Sequence, residues 1–204
     1  MAQSQPNLSI DEATYARLAE ESETRLEWIG GAIIKMAGAS IPHAKIANRI
    51  ATEINLALGD GNCEAVTSDV RVHVEATGDN FYPDVVLVCD DTEYYQTLPH
   101  TILSPTLVVE ILSPTTQNTD LEYKLDVYQR IPSLRHYLIV SQNRIRVQHY
   151  SRRDQNHWDS AVFYWRHERV PLAALGIELP LERIYRNLNV PEGLTLVPMP
   201  QDSE

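Results

Sequence analysis

Apolar residues recur along this chain with two different periods. In HAKIANRIATEINLALG, Ile46, Ala47, Ile50, Ile54 and Leu58 fall at helical spacing, and Gly59 supplies a stop. CEAVTS and DVRVHVE alternate instead, with Val70, Val72 and Val74 on one side, as half-buried strands do. YPDVVLVC and PTLVVEIL are nearly continuous apolar runs of strand length, the pattern of central strands covered on both faces. Residues 119–130 return to the helical period, with Leu121, Leu125 and Tyr128 along one stripe, and LRHYLIV reads as a further strand. The strand–helix–strand unit over about 106–140 implies a right-handed crossover.

The flanks add shorter elements. Ser9 with Glu12 has the spacing of a capping box and predicts a helix over about 10–21. RLEWI and AIIKM, joined by Gly30-Gly31, predict a hairpin. RIRVQHY and AVFYWRH predict a trailing hairpin, and LPLERIYRNL a closing helix. Residues 1–8 read as a disordered arm, 9–190 as one domain and 191–204 as a tail. From residue 43 the order is helix, three strands, helix, strand. That is an α/β or α+β sandwich, a mixed central sheet flanked by helices, with an N-terminal helix-hairpin and a C-terminal hairpin added.

The 204 residues suffice for one well-packed domain, and 43% hydrophobic with 22% charged residues fits a soluble globular protein. No apolar run approaches the roughly 20 residues of a transmembrane helix. The N-terminus lacks a basic start followed by an apolar stretch, so the expected compartment is the cytoplasm, with no membrane partner. Cys63 and Cys89 lack metal-site spacing; Cys89 reads as an ordinary buried thiol and a structural disulfide is not expected. The net charge of -11 counts against a sequence-scanning DNA-binding module that works by charge alone. It leaves room for a carboxylate-lined active site with local basic groups.

Asp84 opens the strand VVLVC, and Glu110 lies near the end of LVVEIL, sharing a face with Val108 and Leu112. A carboxylate inside such an apolar run needs a cation, an arginine or a backbone cap to offset its desolvation. If the two strands are neighbours, the carboxylates converge at one sheet edge, where a divalent cation removes their repulsion. Taken singly, Asp84 also suits a turn or cap, and Glu110 a salt bridge. Lys124, on the flank of the following helical stripe, can extend its ammonium to the same edge, or pair with Asp120 one turn earlier. The seven histidines show no clustered ligand spacing, and His149, His157 and His167 read as surface residues of the trailing strands. Tyr94-Tyr95 falls in a loop. There is no P-loop, GxGxxG or G-x-S-x-G.

PD at 83–84, E-I-L at 110–112 and the following SPTT, Asp120, Lys124, Tyr128 and IPSLRHYLIV resemble the Uma-type restriction endonucleases of the PD-(D/E)XK nuclease superfamily. The resemblance runs from about Leu26 to Leu188 and includes RLEWIGGAIIKMAGAS with His43. It implies a restriction-endonuclease-like αβββαβ core, in agreement with the element order, and a Mg²⁺-dependent endonuclease (with Mn²⁺ as a substitute) acting on DNA. The metal ligands implied are Asp84, Glu110 and the Ile111 carbonyl, with Glu27 and His43 as further catalytic residues. The superfamily places a lysine two residues after the glutamate. Leu112 stands there, so the resemblance implies that Lys124 has taken over that role. A homodimer follows if both DNA strands are cut. The alternative is a catalytically silent nuclease-fold module that binds nucleic acid or a protein partner; RNA or a smaller phosphodiester is a third substrate class.

Overall fold

Each strongly periodic segment forms the element its period predicts. A computed structural model describes residues 10–36, 38–67, 69–112 and 119–194, with the backbone alone for 119–121. The chain runs α1 (Glu12–Glu21), β1 (Leu26–Ile29), β2 (Ala32–Lys35), α2 (Ile41–Leu58), β3 (Cys63–Thr67), β4 (Arg71–Val74), β5 (Asp79–Phe81), β6 (Val85–Cys89), β7 (Thr101–Ile102) and β8 (Leu107–Leu112). It continues α3 (Thr119–Tyr128), β9 (His136–Ser141), β10 (Val147–Arg152), β11 (Trp158–Phe163), β12 (Arg169–Leu172), a 3₁₀ turn (Ala173–Leu175), β13 (Ile177–Pro180) and α4 (Leu181–Ile184). Among the described residues no helix is long and apolar enough to cross a membrane.

The architecture is mixed α+β, built on two main sheets. One has the order β11-β10-β9-β8-β6-β3, the other β2-β1-β5-β4-β7, and β12 and β13 form a small hairpin. In the six-stranded sheet β8 and β9 are parallel, as a crossover through α3 requires, and the other pairs are antiparallel. Alternation splits its side chains between two cores. Val85, Leu87, Val109 and Ile111 pack against α2 through Ile46, Ile50 and Ile54. Val86, Val108 and Ile139 face the other way, against Val72, Val74 and Phe81 of the second sheet and Val127 and Tyr128 of α3.

Several expectations are corrected. The first helix is capped by Asp11, whose carboxylate accepts the Thr14 N–H at 2.8 Å, so α1 starts at Glu12; Ser9 lies outside the described residues. The segment 177–188 holds a helix of one turn, because Leu179 and Pro180 are drawn into β13 by pairing with Val170 and Arg169. Strand β5, for which the sequence pattern sets no expectation, carries two polar residues. Both are buried and satisfied, Asp79 by the Gly30 N–H and Asn80 by His73 and the Gly78 carbonyl. Cys63 and Cys89 form a disulfide. The register of β3 against β6 sets them directly opposite each other, a proximity that a separation of 26 residues does not reveal.

His149 is also not at the surface. It is buried on β10 beside His136 of β9. His136 Nε2 accepts the Ala174 N–H at 3.2 Å, so its proton sits on Nδ1, which donates to His149 Nε2 at 3.0 Å. Burial, and for His136 also the neighbouring His149, pushes both imidazoles down from 6.5 to about 4. The unfolded chain therefore binds more protons than the folded one between these values. Stability from this pair is fully present above about pH 6.5 and falls as the pH drops toward 4, by on the order of 3 kcal/mol per imidazole. Urea unfolding at a series of pH values is expected to show this loss, and His149→Gln to flatten it. An unchanged slope in the variant would assign the acid sensitivity elsewhere.

Candidate metal and phosphodiester site

The site forms at the sheet end where β6 begins and β8 finishes. Val85 pairs with Val109, and the Asp84 N–H continues the ladder to the Val109 carbonyl at 3.0 Å. The same register sets Asp84 beside Glu110. Pro83 suits this position, since it ends the preceding segment and requires no backbone donor. Asp84 Oδ2 then accepts the Ile111 N–H at 2.6 Å and lies 3.2 Å from His43 Nε2. That contact puts the imidazole proton on Nε2, and leaves Nδ1 buried and without a partner among the described residues. His43 reaches Asp84 from the first turn of α2, which is capped by the Ser40 side chain.

Glu110 belongs to the face of β8 turned toward α3. Lys124 and Tyr128, one helical turn apart, both donate to its Oε1, at 3.3 and 3.0 Å. The Lys124 ammonium also lies 3.0 Å from Glu27 Oε1, which in addition accepts the Tyr82 N–H at 2.9 Å. Glu27 thus comes from the second sheet to a cation carried by a helix packed on the first. It does not pair with Arg25 or Lys35 on its own hairpin. The Lys124 head group further lies 5.2 Å from the centre of the Phe81 ring. Glu27, Glu110 and Lys124 are 3, 8 and 5% exposed, so this ion cluster is desolvated and fixed.

Burial raises the Glu110 carboxyl above the ordinary range; the Lys124 ammonium works against this, and the Asp84 and Glu27 charges add to it. Burial and the adjoining Glu110 charge hold the Tyr128 phenol well above its usual value, so it stays a hydrogen-bond donor. Glu27 and Glu110 share one ammonium and the Asp84 charge adjoins Glu110, an excess of negative charge that suits a divalent cation. Among the described residues no group of three or more His, Cys, Asp or Glu side chains is arranged to hold an ion. The donor set is leaner: Asp84 Oδ1 and Glu110 Oε2 accept no hydrogen bond from the described residues. Two such oxygens with a backbone carbonyl fit Mg²⁺, which takes one or two carboxylates and keeps several waters.

All five candidate catalytic side chains are therefore brought to one sheet end: Glu27, His43, Asp84, Glu110 and Lys124. The side chain of Asp120 lies outside the described residues. Tyr128 joins the set, and its spacing from Lys124 is the signal that points to it. Gln142 and Ser40 are supports with no local signal. The buried Gln142 accepts from Ser40 Oγ at 2.5 Å and donates to the Leu112 carbonyl at 2.9 Å, linking the α2 cap to the end of β8 through residues 102 and 30 positions away from it.

Removing the ammonium leaves two buried carboxylates facing each other. Lys124→Ala is expected to cost about 3–5 kcal/mol in urea unfolding. Adding Glu110→Gln, which removes one of the two charges, is expected to recover part of it. A wild-type urea midpoint for Lys124→Ala would mean that the ammonium does not neutralise this pair.

Two curated proteins are similar to this chain over most of its length. "Uncharacterized protein slr1290" of Synechocystis sp. (strain ATCC 27184 / PCC 6803 / Kazusa) is 32% identical over 183 residues, 90% of this chain and 94% of that protein. "Uncharacterized protein sll1609" of the same strain is 30% identical over 146 residues, 72% of this chain and 82% of that protein. The crystal structure of "a putative nuclease belonging to DUF820" from Anabaena variabilis ATCC 29413 shares the fold, with a TM-score of 0.67 and 16% identity over 80% of this chain and 91% of that one. The sequence profile of one family matches residues 12–182, and the chain belongs to it: Uma2, described as "Putative restriction endonuclease".

Proposed function

We propose that this chain is a Mg²⁺-dependent endonuclease, with Mn²⁺ as a substitute, that hydrolyses DNA phosphodiester bonds by metal-activated water. The observation that carries the reading is the reach of Lys124 from α3 to Glu110 and Glu27. It supplies an ammonium at the sheet end although the superfamily's usual lysine slot holds Leu112. Asp84, Glu110 and the Ile111 carbonyl would hold the ion. When bound, it supplies Lewis-acid polarisation of a phosphoryl oxygen and lowers the pKa of water.

The chain's own groups do the positioning. The Ile111 N–H and His43 fix Asp84 through Oδ2, which leaves Oδ1 for the ion. His43 acts here as a positioning residue, because its second nitrogen is buried. Tyr128 orients Glu110 through Oε1. Lys124 balances the carboxylates and adds a positive charge where negative charge builds up on the phosphoryl oxygens. Its anchoring to two acids holds that charge in place before substrate arrives.

Supercoiled plasmid incubated with Mg²⁺ or Mn²⁺ tests the reading. Wild type is expected to nick and linearise it, with EDTA abolishing the activity. Asp84→Ala, Glu110→Ala and Lys124→Ala are each expected to slow it by about 10²–10³-fold, and calorimetry to show metal binding lost in Glu110→Ala. Variants that cut like wild type would remove the mechanism. A wild type that neither binds metal nor cuts favours the reading that Leu112 supports, a silent module for nucleic acid or a protein partner. Cutting both strands calls for two sites, so the proposal extends to a homodimer. Light scattering at micromolar concentration is expected to give twice the 23.2 kDa chain mass, and a monodisperse monomer would count against it.

A further inference from the structure

The register of the six-stranded sheet carries the site's row of residues past β8. Glu110 pairs with Ile139, Ile139 with Gln148, and Gln148 with Val162. The next row toward the sheet end runs Leu112, Ser141, Arg146, the last step through the Ser141 N–H to the Arg146 carbonyl at 3.0 Å. Arg146, Gln148 and Tyr150 alternate with Ile145, Val147 and His149, so they occupy the face that bears Glu110. Two strand spacings of about 4.8 Å put them roughly 10 Å from Glu110, on the far side of β9.

These three side chains form a directed chain of hydrogen bonds. Arg146 Nη2 donates to Gln148 Oε1 at 2.7 Å, and the Gln148 amide donates to the Tyr150 hydroxyl. Tyr150 is braced by stacking on the buried Tyr137, ring centres 6.1 Å apart. Burial raises the Tyr150 phenol, so it remains protonated. At the two ends, the Tyr150 O–H and the remaining guanidinium N–H groups of Arg146 have no acceptor among the described residues. Arg146 has no carboxylate partner among the described residues either, although the chain carries a net charge of -11. Nearby arginines are committed to the fold: Arg152 donates to the Leu134, Gln129 and Ile131 carbonyls, and Arg144 to the Gly193 carbonyl. All three side chains of the row are half-buried and open to solvent.

We propose that Arg146, Gln148 and Tyr150 form a ledge that grips the phosphodiester backbone of the DNA strand on the β10 side of the Asp84–Glu110 site. The inference rests on the endonuclease reading and extends it, assigning residues that hold substrate without touching the reacting bond. A row that offers donors at both ends, with a positive charge that has no carboxylate partner among the described residues, matches phosphate oxygens. At an axial rise of about 3.4 Å per nucleotide in one strand, the ledge would meet backbone about three nucleotides from the scissile bond.

Binding of a fluorescein-labelled DNA duplex, followed by anisotropy in EDTA over a range of NaCl concentrations, separates the ledge from the chemistry. Arg146→Ala is expected to weaken binding about tenfold at low salt and to reduce the salt slope by about one. Arg146→Lys is expected to keep the slope. Arg153→Ala removes an exposed arginine that is paired with Asp159 at 3.3 Å, and is expected to bind like wild type. Unchanged binding by Arg146→Ala overturns the proposal, as does an equal loss in Arg153→Ala or a wild type that does not bind. The plasmid assay is read independently. Cleavage that needs Asp84 with binding indifferent to Arg146 sinks the ledge alone. Binding that depends on Arg146 with no cleavage under either metal sinks the endonuclease reading alone.

Discussion

The Lys124 ammonium holds together the end of this molecule where Glu27 and Glu110 meet. It lies 3.0 Å from Glu27 and 3.3 Å from Glu110, and these three residues come from a helix and from two different sheets. A buried ion pair is a weak source of net stability, because desolvation cancels most of the attraction. Its effect is on specificity of arrangement. With the carboxylates buried on opposite walls, only a placement of α3 that brings a cation between them avoids uncompensated charge. The orientation of α3, the approach of the β1–β2 hairpin and the position of the end of β8 are thereby tied to one atom.

Around that constraint the fold supplies rigid walls. Asp84 and Glu110 stand on adjoining strands with their backbones in one ladder, so their separation is set by sheet geometry. His43 arrives from α2, and Gln142 ties that helix's cap residue to the Leu112 carbonyl. Asp84, Glu110 and Lys124 thus each have a second contact that fixes them. Asp84 Oδ1 and Glu110 Oε2, which accept no hydrogen bond from the described residues, and the buried His43 Nδ1 are the unsatisfied atoms of the cluster.

Local chemistry also explains what stays fixed at a distance from the site. The β1–β2 turn uses Gly30 and Gly31 at φ of 55 and 84°, the left-handed pair that a two-residue hairpin demands. At the other end of the chain, a Cβ on Gly193 would lie 2.6 Å from the Trp165 ring, so only glycine allows this close packing. Asp79 uses both carboxylate oxygens, one on the Gly30 N–H at 2.7 Å and one on the Tyr123 hydroxyl at 2.8 Å. The hairpin that carries Glu27 and the helix that carries Lys124 therefore share this anchor as well.

Periodicity alone determined the long helix α2, the apolar strands β6 and β8, the helix α3 between two parallel strands, and the hairpin across Gly30-Gly31. Those signals are local and strong: the helices and apolar strands bury residues at the spacing their own sequence sets, and the Gly30-Gly31 pair marks the hairpin turn. Asp84 and Glu110 were legible because a carboxylate in an apolar strand is anomalous wherever that strand packs. The short strands β5, β7, β12 and β13 were not legible, since two to four residues carry no period and are held by partners distant in sequence. Tertiary structure alone decided that Cys63 meets Cys89, that His149 is buried against His136, and that Lys124 turns toward Glu27 and Glu110. Each of these depends on strand register or helix rotation. Register is set by the sum of many weak contacts across the sheet, and no short stretch of sequence contains that sum.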